Sequence, residues 1–283
     1  MPDKLIVPDN VMSRRKFLVR AGAVVGAASL SGLVLAERPS KARAAAGAPV
    51  AIPWPYARLD PEMVARRSYE IYYARACAEA TWYSLVEALA PANPDTWGTL
   101  PQNIFRFGGG GINSWGTICG TLNGSCAAIA MTGADSSLED ALMQYYTETP
   151  LPTNGIDNAV RSGWVPAAGP SSVPQNVPTS TAHSPLCHVS LSQWLTSAGN
   201  GGADTTVNAM GKPGMVDRCA KLCYDLTHKT VTLLNAWFAD GTKPIVVLDP
   251  SVAACKTCHS VNVIGKQSCD SCHDETTSHA TGG

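Results

Sequence analysis

The stretch from Met215 to Phe238, MVDRCAKLCYDLTHKTVTLLNAWF, decides the fold class. Pro213 or Gly214 suits its start and Gly241 and Pro244 stand beyond its end, so it reads as one long helix. Cys219 and Cys223 are four residues apart, which puts both thiols on one face, and His228 lies farther along the same helix. Working outward, Asp60 and Pro61 suit a cap and a first helical position, predicting a helix over 61–89 that carries Cys77 and buries residues such as Tyr72, Ala76, Tyr83 and Val86. Pro91 and Pro94 end it. Further helices are predicted over 117–131, 136–146 and, starting at Cys187-His188, over 187–195. In the 117–131 helix, Cys119 and Cys126 share nearly one face but sit about 10 Å apart along the axis. Gly108 to Gly111 read as its tight entry, because neither Rossmann nor Walker spacing follows them. Residues 45–60 read as an extended arm, 150–178 as a long excursion, and 245–249 as a short strand or an apolar connection. The expected fold is mostly α.

Two motifs near the C-terminus carry chemistry. Cys255-Lys256-Thr257-Cys258-His259 is followed by Cys269-Asp270-Ser271-Cys272-His273. Each is a C-x-x-C-H sequence, in which two thiols form thioethers with haem vinyl groups and the adjacent His reaches the iron. Paired C-x-x-C units also suit a zinc knuckle, but that reading leaves both following His residues unexplained. The chain therefore divides into a helical cysteine-rich domain over 45–248 and a C-terminal dihaem segment over 249–283, with two covalently attached haem c groups. His183, His188, His228 and His279 lie outside the motifs and are the candidates for distal iron ligands, His188 foremost. Because His is scarce, bis-His ligation is favoured over Met.

The N-terminus reads as an export signal. Ser13-Arg14-Arg15-Lys16-Phe17-Leu18 precede an apolar, small-residue run from Ala21 to Ala36, with Ala42-Arg43-Ala44 as the cleavage triplet. This is a twin-arginine pattern over residues 1–44, and it places the protein in the periplasm. The run is interrupted by Gly and Ser, so stable membrane insertion is not expected. The whole chain has 21 Lys and Arg against 22 Asp and Glu; without residues 1–44 it has 13 against 19. An acidic protein offers no positive field for nucleic acid, whereas it is compatible with a lysine-rich redox protein partner.

Cys77, Cys119, Cys126, Cys187, Cys219 and Cys223 remain outside the haem motifs. Two helical pairs and a Cys at a helix start offer ligands for an iron-sulfur cluster, and the i,i+4 pair Cys219 and Cys223 suits this best. Structural disulfides, a thiol-disulfide redox centre and zinc are the competing readings. From Cys77 to Cys223 the chain resembles the C-GCAxxG-C-C redox family. Cys77 matches its opening cysteine, Phe107 to Gly111 its glycine-rich lead-in, Cys119-Gly120 its Cys-Gly element, Cys187 its isolated cysteine, and Cys219 or Cys223 its last. Joined to the two haem motifs, the arrangement is similar to the split-Soret cytochrome c family. The resemblance implies a periplasmic electron-transfer cytochrome of sulfate-reducing bacteria: a homodimer with its haems near the interface and an iron-sulfur site in the cysteine domain. The alternative from another functional class is a haem and iron-sulfur reductase acting on a small oxidised substrate.

Overall fold

Asp60 caps the first helix as its sequence predicts, accepting hydrogen bonds from the backbone N–H of Glu62 (2.9 Å) and Met63 (3.2 Å) with Pro61 in the first turn. The computed structural model describes residues 51–168, 177–197, 213–259 and 265–268. The proposed signal over 1–44, the second haem motif at Cys269, Cys272 and His273, and His279 lie outside them. The elements are α1 (Pro61–Arg75), α2 (Cys77–Leu89), α3 (Gly120–Thr132), α4 (Ser137–Glu148), α5 (Gly155–Arg161), α6 (Cys187–Thr196), α7 (Pro213–Asp240) and α8 (Pro250–His259). No strand occurs among the described residues, which hold two isolated bridges, Ile118 with Leu186 and Leu151 with Ser180. The fold is mostly α.

The long helix read from Met215 to Phe238 is present as α7, and it packs against α1, α2, α3, α4 and α5. One side of it places Leu222, Leu226 and Leu234 in a core with Leu122, Ile129, Leu138 and Leu142. Val231 joins a second core containing Trp82, Leu85, Leu89 and Trp97. The arm before α1 is anchored rather than loose. Trp54 N–H donates to the Met131 carbonyl (2.8 Å), and the Asn235 amide holds the Tyr56 hydroxyl and both backbone groups of Leu59.

Three expectations need correction. The helix predicted over 61–89 is two helices, because Ala76 takes φ 60° and breaks the chain between α1 and α2. A left-handed Ala is strained, and the break makes Cys77 the first residue of a new helix. Second, Cys119 is the N-cap of α3 rather than part of its body. Third, the glycines at 108–111 do not enter that helix; they form a turn-rich loop in which Gly110 and Gly111 have positive φ. The excursion over 150–178 holds one short helix, α5, and of the two readings of 245–249 the connection is the one present.

Gly124 sets the distance between α2 and α3. A Cβ there would stand 2.3 Å from Thr81 Oγ1 and 2.4 Å from the Ala78 carbonyl oxygen, so the two backbones are in direct contact. Gly124→Ala should therefore lower stability by about 1–3 kcal/mol in urea unfolding, even though Ala is the better helix former by about 1 kcal/mol.

Buried charge on α7 generates a second expectation. Asp225 accepts hydrogen bonds from the Thr153 backbone N–H (2.8 Å) and hydroxyl. Burial nevertheless raises its pKa from 3.8 to about 6. A carboxyl raised on folding contributes stability that is complete below its unfolded pKa and is lost as pH rises through the folded value. Between pH 4 and 6 the protein should lose about 2–3 kcal/mol through this group. Asp225→Asn should flatten that fall in chemical denaturation measured across the window.

Candidate metal centre

Three of the cysteines begin helices. Cys77 is the first residue of α2, Cys119 caps α3 and Cys187 is the first residue of α6. The first two meet because α2 and α3 touch; a Cβ on Gly120 would lie 2.7 Å from Cys77 Sγ and 2.2 Å from the Gly108 carbonyl. The last two meet through a short antiparallel pairing. Cys119 N–H donates to the Pro185 carbonyl (2.9 Å), Cys187 N–H donates to the Thr117 carbonyl (2.7 Å), and Ile118 faces Leu186 between them. Cys219 arrives from α7. The four thiols line one cavity of about 450 Å³, whose wall also includes Tyr72, Tyr146, His188 and Arg218.

The remaining two cysteines are placed differently. Cys126 packs at the edge of the core around Leu138 and Leu142 and does not line the cavity. Burial, with Glu139 and Asp140 near it, pushes its thiol up to about 12. The seven-residue spacing from Cys119 kept the face but carried Cys126 two turns down α3, away from the helix end where the other thiols gather. Cys223 is fully buried with Ile71, Cys77 and Ala80, one turn beyond Cys219 and outside the cavity wall. The expectation that Cys219 and Cys223 serve as a pair needs correction: Cys219 lines the cavity, whereas Cys223, one turn on, packs into the core beside Ile71 and Ala80.

All six are free thiols. The lowest pKa belongs to Cys119, held down to about 6 by hydrogen bonds to its sulfur from the Cys187 thiol and the Thr121 and Tyr146 hydroxyls. Cys187 moves upward because it keeps the proton of that bond and is buried. Burial, then the neighbouring Cys119 and Cys219 sulfurs, pushes Cys77 up to about 12. Cys219 is raised by burial and opposed by Arg218, and the Tyr72 hydroxyl hydrogen-bonds to it. Loading this site with metal would release protons, since thiolates are the ligands.

Among the described residues, no three His, Cys, Asp or Glu side chains are gathered closely enough to hold a single metal ion. A lone tetrahedral ion with metal–sulfur bonds near 2.3 Å needs its sulfurs within about 4 Å of one another. Four thiols spread around a larger cavity, with hydroxyl donors aimed at two of them, suit a group of several atoms.

The His residues separate into different surroundings. His188 lies at the cysteine cavity, with Nδ1 donating to the Gly116 carbonyl (3.0 Å), which in the neutral ring leaves the lone pair on Nε2. His228 stacks on Tyr224 along α7. His183, in a left-handed conformation, shares a cavity of about 410 Å³ with Thr147, Asp249, Lys266, Gln267 and Ser268. Residues 266–268 are held there. Lys266 pairs with Asp140 (2.5 Å), the Ser184 hydroxyl donates to Gln267 (3.4 Å), and Ser251 bonds Ser268 (2.9 Å). The first haem motif lies on α8, where Cys255 is half-buried and the helix runs through Cys258 and His259.

Sequence reasoning missed the side chains that surround the thiols. Tyr72, Tyr146 and Arg218 carry no motif; only Arg218, next to Cys219, had a positional signal. No helix among the described residues is long and apolar enough to cross a membrane. No protein-family model matches the chain. It is 26% identical to the split-Soret cytochrome c of Desulfovibrio desulfuricans, over 94% of this chain and 96% of that one. A solved structure, described as a novel iron centre in the split-Soret cytochrome c from D. desulfuricans ATCC 27774, superposes with a TM-score of 0.65. It has 24% identity and covers 80% of this chain and 92% of the other. Similarity in sequence along nearly the whole chain, and in fold over most of it, thus places this protein alongside split-Soret cytochrome c.

Proposed function

We propose that the protein is a periplasmic electron-transfer cytochrome with two covalent haem c groups and an iron-sulfur cluster in the cysteine cavity. The observation that carries the reading is the convergence of Cys77, Cys119, Cys187 and Cys219 on one cavity in a chain that also holds two C-x-x-C-H motifs. Cys255, Cys258 and His259 would attach and ligate one haem, and Cys269, Cys272 and His273 the other. The cluster would supply a one-electron store beside them. The similar Desulfovibrio desulfuricans protein, a cytochrome c with an iron centre, supports both cofactors.

His183 is the distal-ligand candidate that fits the haem segment best, because it shares a cavity with Lys266 to Ser268. His188 fits the cysteine cavity instead. His228 and His279 complete the candidate set for bis-His ligation. We propose a homodimer with haems near its interface and an acidic surface that meets a basic redox protein, exported by the twin-arginine route. That route carries folded cargo, so a cluster could be inserted before transport.

One observation favours a second reading, a reductase for a small oxidised substrate. A groove of about 750 Å³ adjoins the cysteine cavity and shares Tyr72, Ala76 and Arg106 with it. An open iron position would be the requirement. Rapid spectral change on adding carbon monoxide at native pH would support it, and an unaltered spectrum would support the electron carrier.

Denaturing mass spectrometry should show two haem additions on the processed chain; one or none would remove the dihaem assignment. Anaerobically purified protein should contain more iron than haem. Cys219→Ala should lose the excess iron while Cys126→Ala keeps it, and equal loss in both would refute the cavity as the site. Replacing Arg14 and Arg15 together with Lys should abolish most periplasmic accumulation, and normal accumulation would refute the export assignment.

A further inference from the structure

Two cations on α7 are buried, and they differ in their partners. Lys221, 1% exposed, is paired with Asp157 at 3.0 Å and with Asp217 at 3.2 Å. Tyr69 and Tyr73 donate to the other oxygen of Asp217, each at 2.8 Å, so that charge is closed within the protein. Arg218, 3% exposed, forms no ion pair with any Asp or Glu among the described residues. Its Nη2 donates to the hydroxyl (2.8 Å) and carbonyl (3.2 Å) of Ser190, and its plane lies over Trp194 with 5.4 Å to the ring centre. Its Nε is buried without an acceptor.

A guanidinium stays charged in a protein. Taking it out of water without an anion is costly, and breaking the compensation of a buried charge is among the more damaging changes a protein can suffer. The cavity that Arg218 lines is where that compensation belongs. Three helices, α2, α3 and α6, also begin at that cavity, and their N-terminal ends favour negative charge. Fixed positive charge therefore reaches the same space from four elements.

We propose that Arg218 is a positioning residue for the redox centre: the fixed cation that makes the cavity hold a net-negative cluster and that favours its reduced state. The inference rests on the cluster reading above. A cluster bound by four thiolates carries net negative charge, and one-electron reduction adds one more. The electron comes from a haem of the same chain or from a redox partner protein, and no proton or bond needs to move with it. A cation held by Ser190 and Trp194 cannot swing away when the charge changes, so its attraction acts on the electron directly. Arg218 thereby raises the reduction potential of the cluster relative to the haems.

The test is an anaerobic redox titration of the haem-loaded protein, followed by electron paramagnetic resonance, with the haems of the same sample as internal reference. Arg218→Gln should lower the equilibrium constant for one-electron reduction of the non-haem centre at least tenfold, about 59 mV, while leaving the haem signals in place. Arg218→Lys, which keeps the charge, should restore most of the shift. Ser190→Ala, which leaves the cation but removes its anchor, should give a smaller shift in the same direction, and it carries the test if Arg218→Gln does not accumulate as folded protein. An unshifted centre in Arg218→Gln, or equal shifts in the Gln and Lys variants, overturns the role. If Arg218→Gln cannot be obtained, an unshifted centre in Ser190→Ala does so. Wild-type protein without non-haem iron overturns the cluster reading and this inference with it, whereas a wild-type cluster beside unshifted variants overturns the inference alone.

Discussion

The contact between α2 and α3 is the constraint on which the cysteine site depends. Gly120 and Gly124 present bare backbone to Cys77, Ala78 and Thr81, and Gly108 meets Ala78 so closely that a Cβ there would stand 2.3 Å from the Ala78 Cβ. Side chains at these positions would push the helices apart by the width of a methyl group or more. The distance between Cys77 and Cys119 is thus set by the absence of side chains around them. The break at Ala76 has the same effect from the other direction, because it frees Cys77 from the interior of a continuous helix and turns it to a helix start.

Around that contact, the protein sorts its buried polar groups by where their charge is answered. Lys221 and Asp217 close on each other and on neighbouring residues between α1, α5 and α7. Arg218, one residue from Asp217, turns to the cysteine cavity, where the donors Tyr72, Tyr146 and Thr121 also point at sulfur. A single helix therefore carries one charge network that stabilises packing and one cation that faces the site. Adjacent positions on a helix lie about 100° apart around its axis, which allows this division.

The C-terminal segment follows a different logic. The haem motifs bring few large apolar residues of their own, and the chain between α7 and α8 has no regular secondary structure. Its described residues and the chain leading to them make polar contacts with the helical domain: Lys243 with Asp135 just before α4, Lys266 with Asp140 of α4, and Gln267 with Ser184 in the loop before α6. Exposed ion pairs of this kind contribute little each. A covalently held haem would add the apolar surface that this segment lacks, and His183 stands beside it.

The sequence by itself determined the haem motifs, the mostly helical class, the long central helix and the set of six cysteines, because each of these depends on local spacing or periodicity. It also placed Asp60 at a helix start, where the cap is a contact between near neighbours. Local spacing misled at Cys119 and Cys126, which share a face of a helix in principle but are separated by two turns and by a helix boundary. Cys77, read as a mid-helix residue, became a helix start because Ala76 adopts a conformation that no local preference favours. Only the tertiary structure decided that Cys187 lies beside Cys119 and that Cys219 rather than Cys223 lines the cavity. It alone set Arg218 facing the site with no carboxylate among the described residues to answer it. These placements arise from contacts between residues far apart in the chain, where close packing of backbones and the accounting of buried charge, rather than any local pattern, select the arrangement.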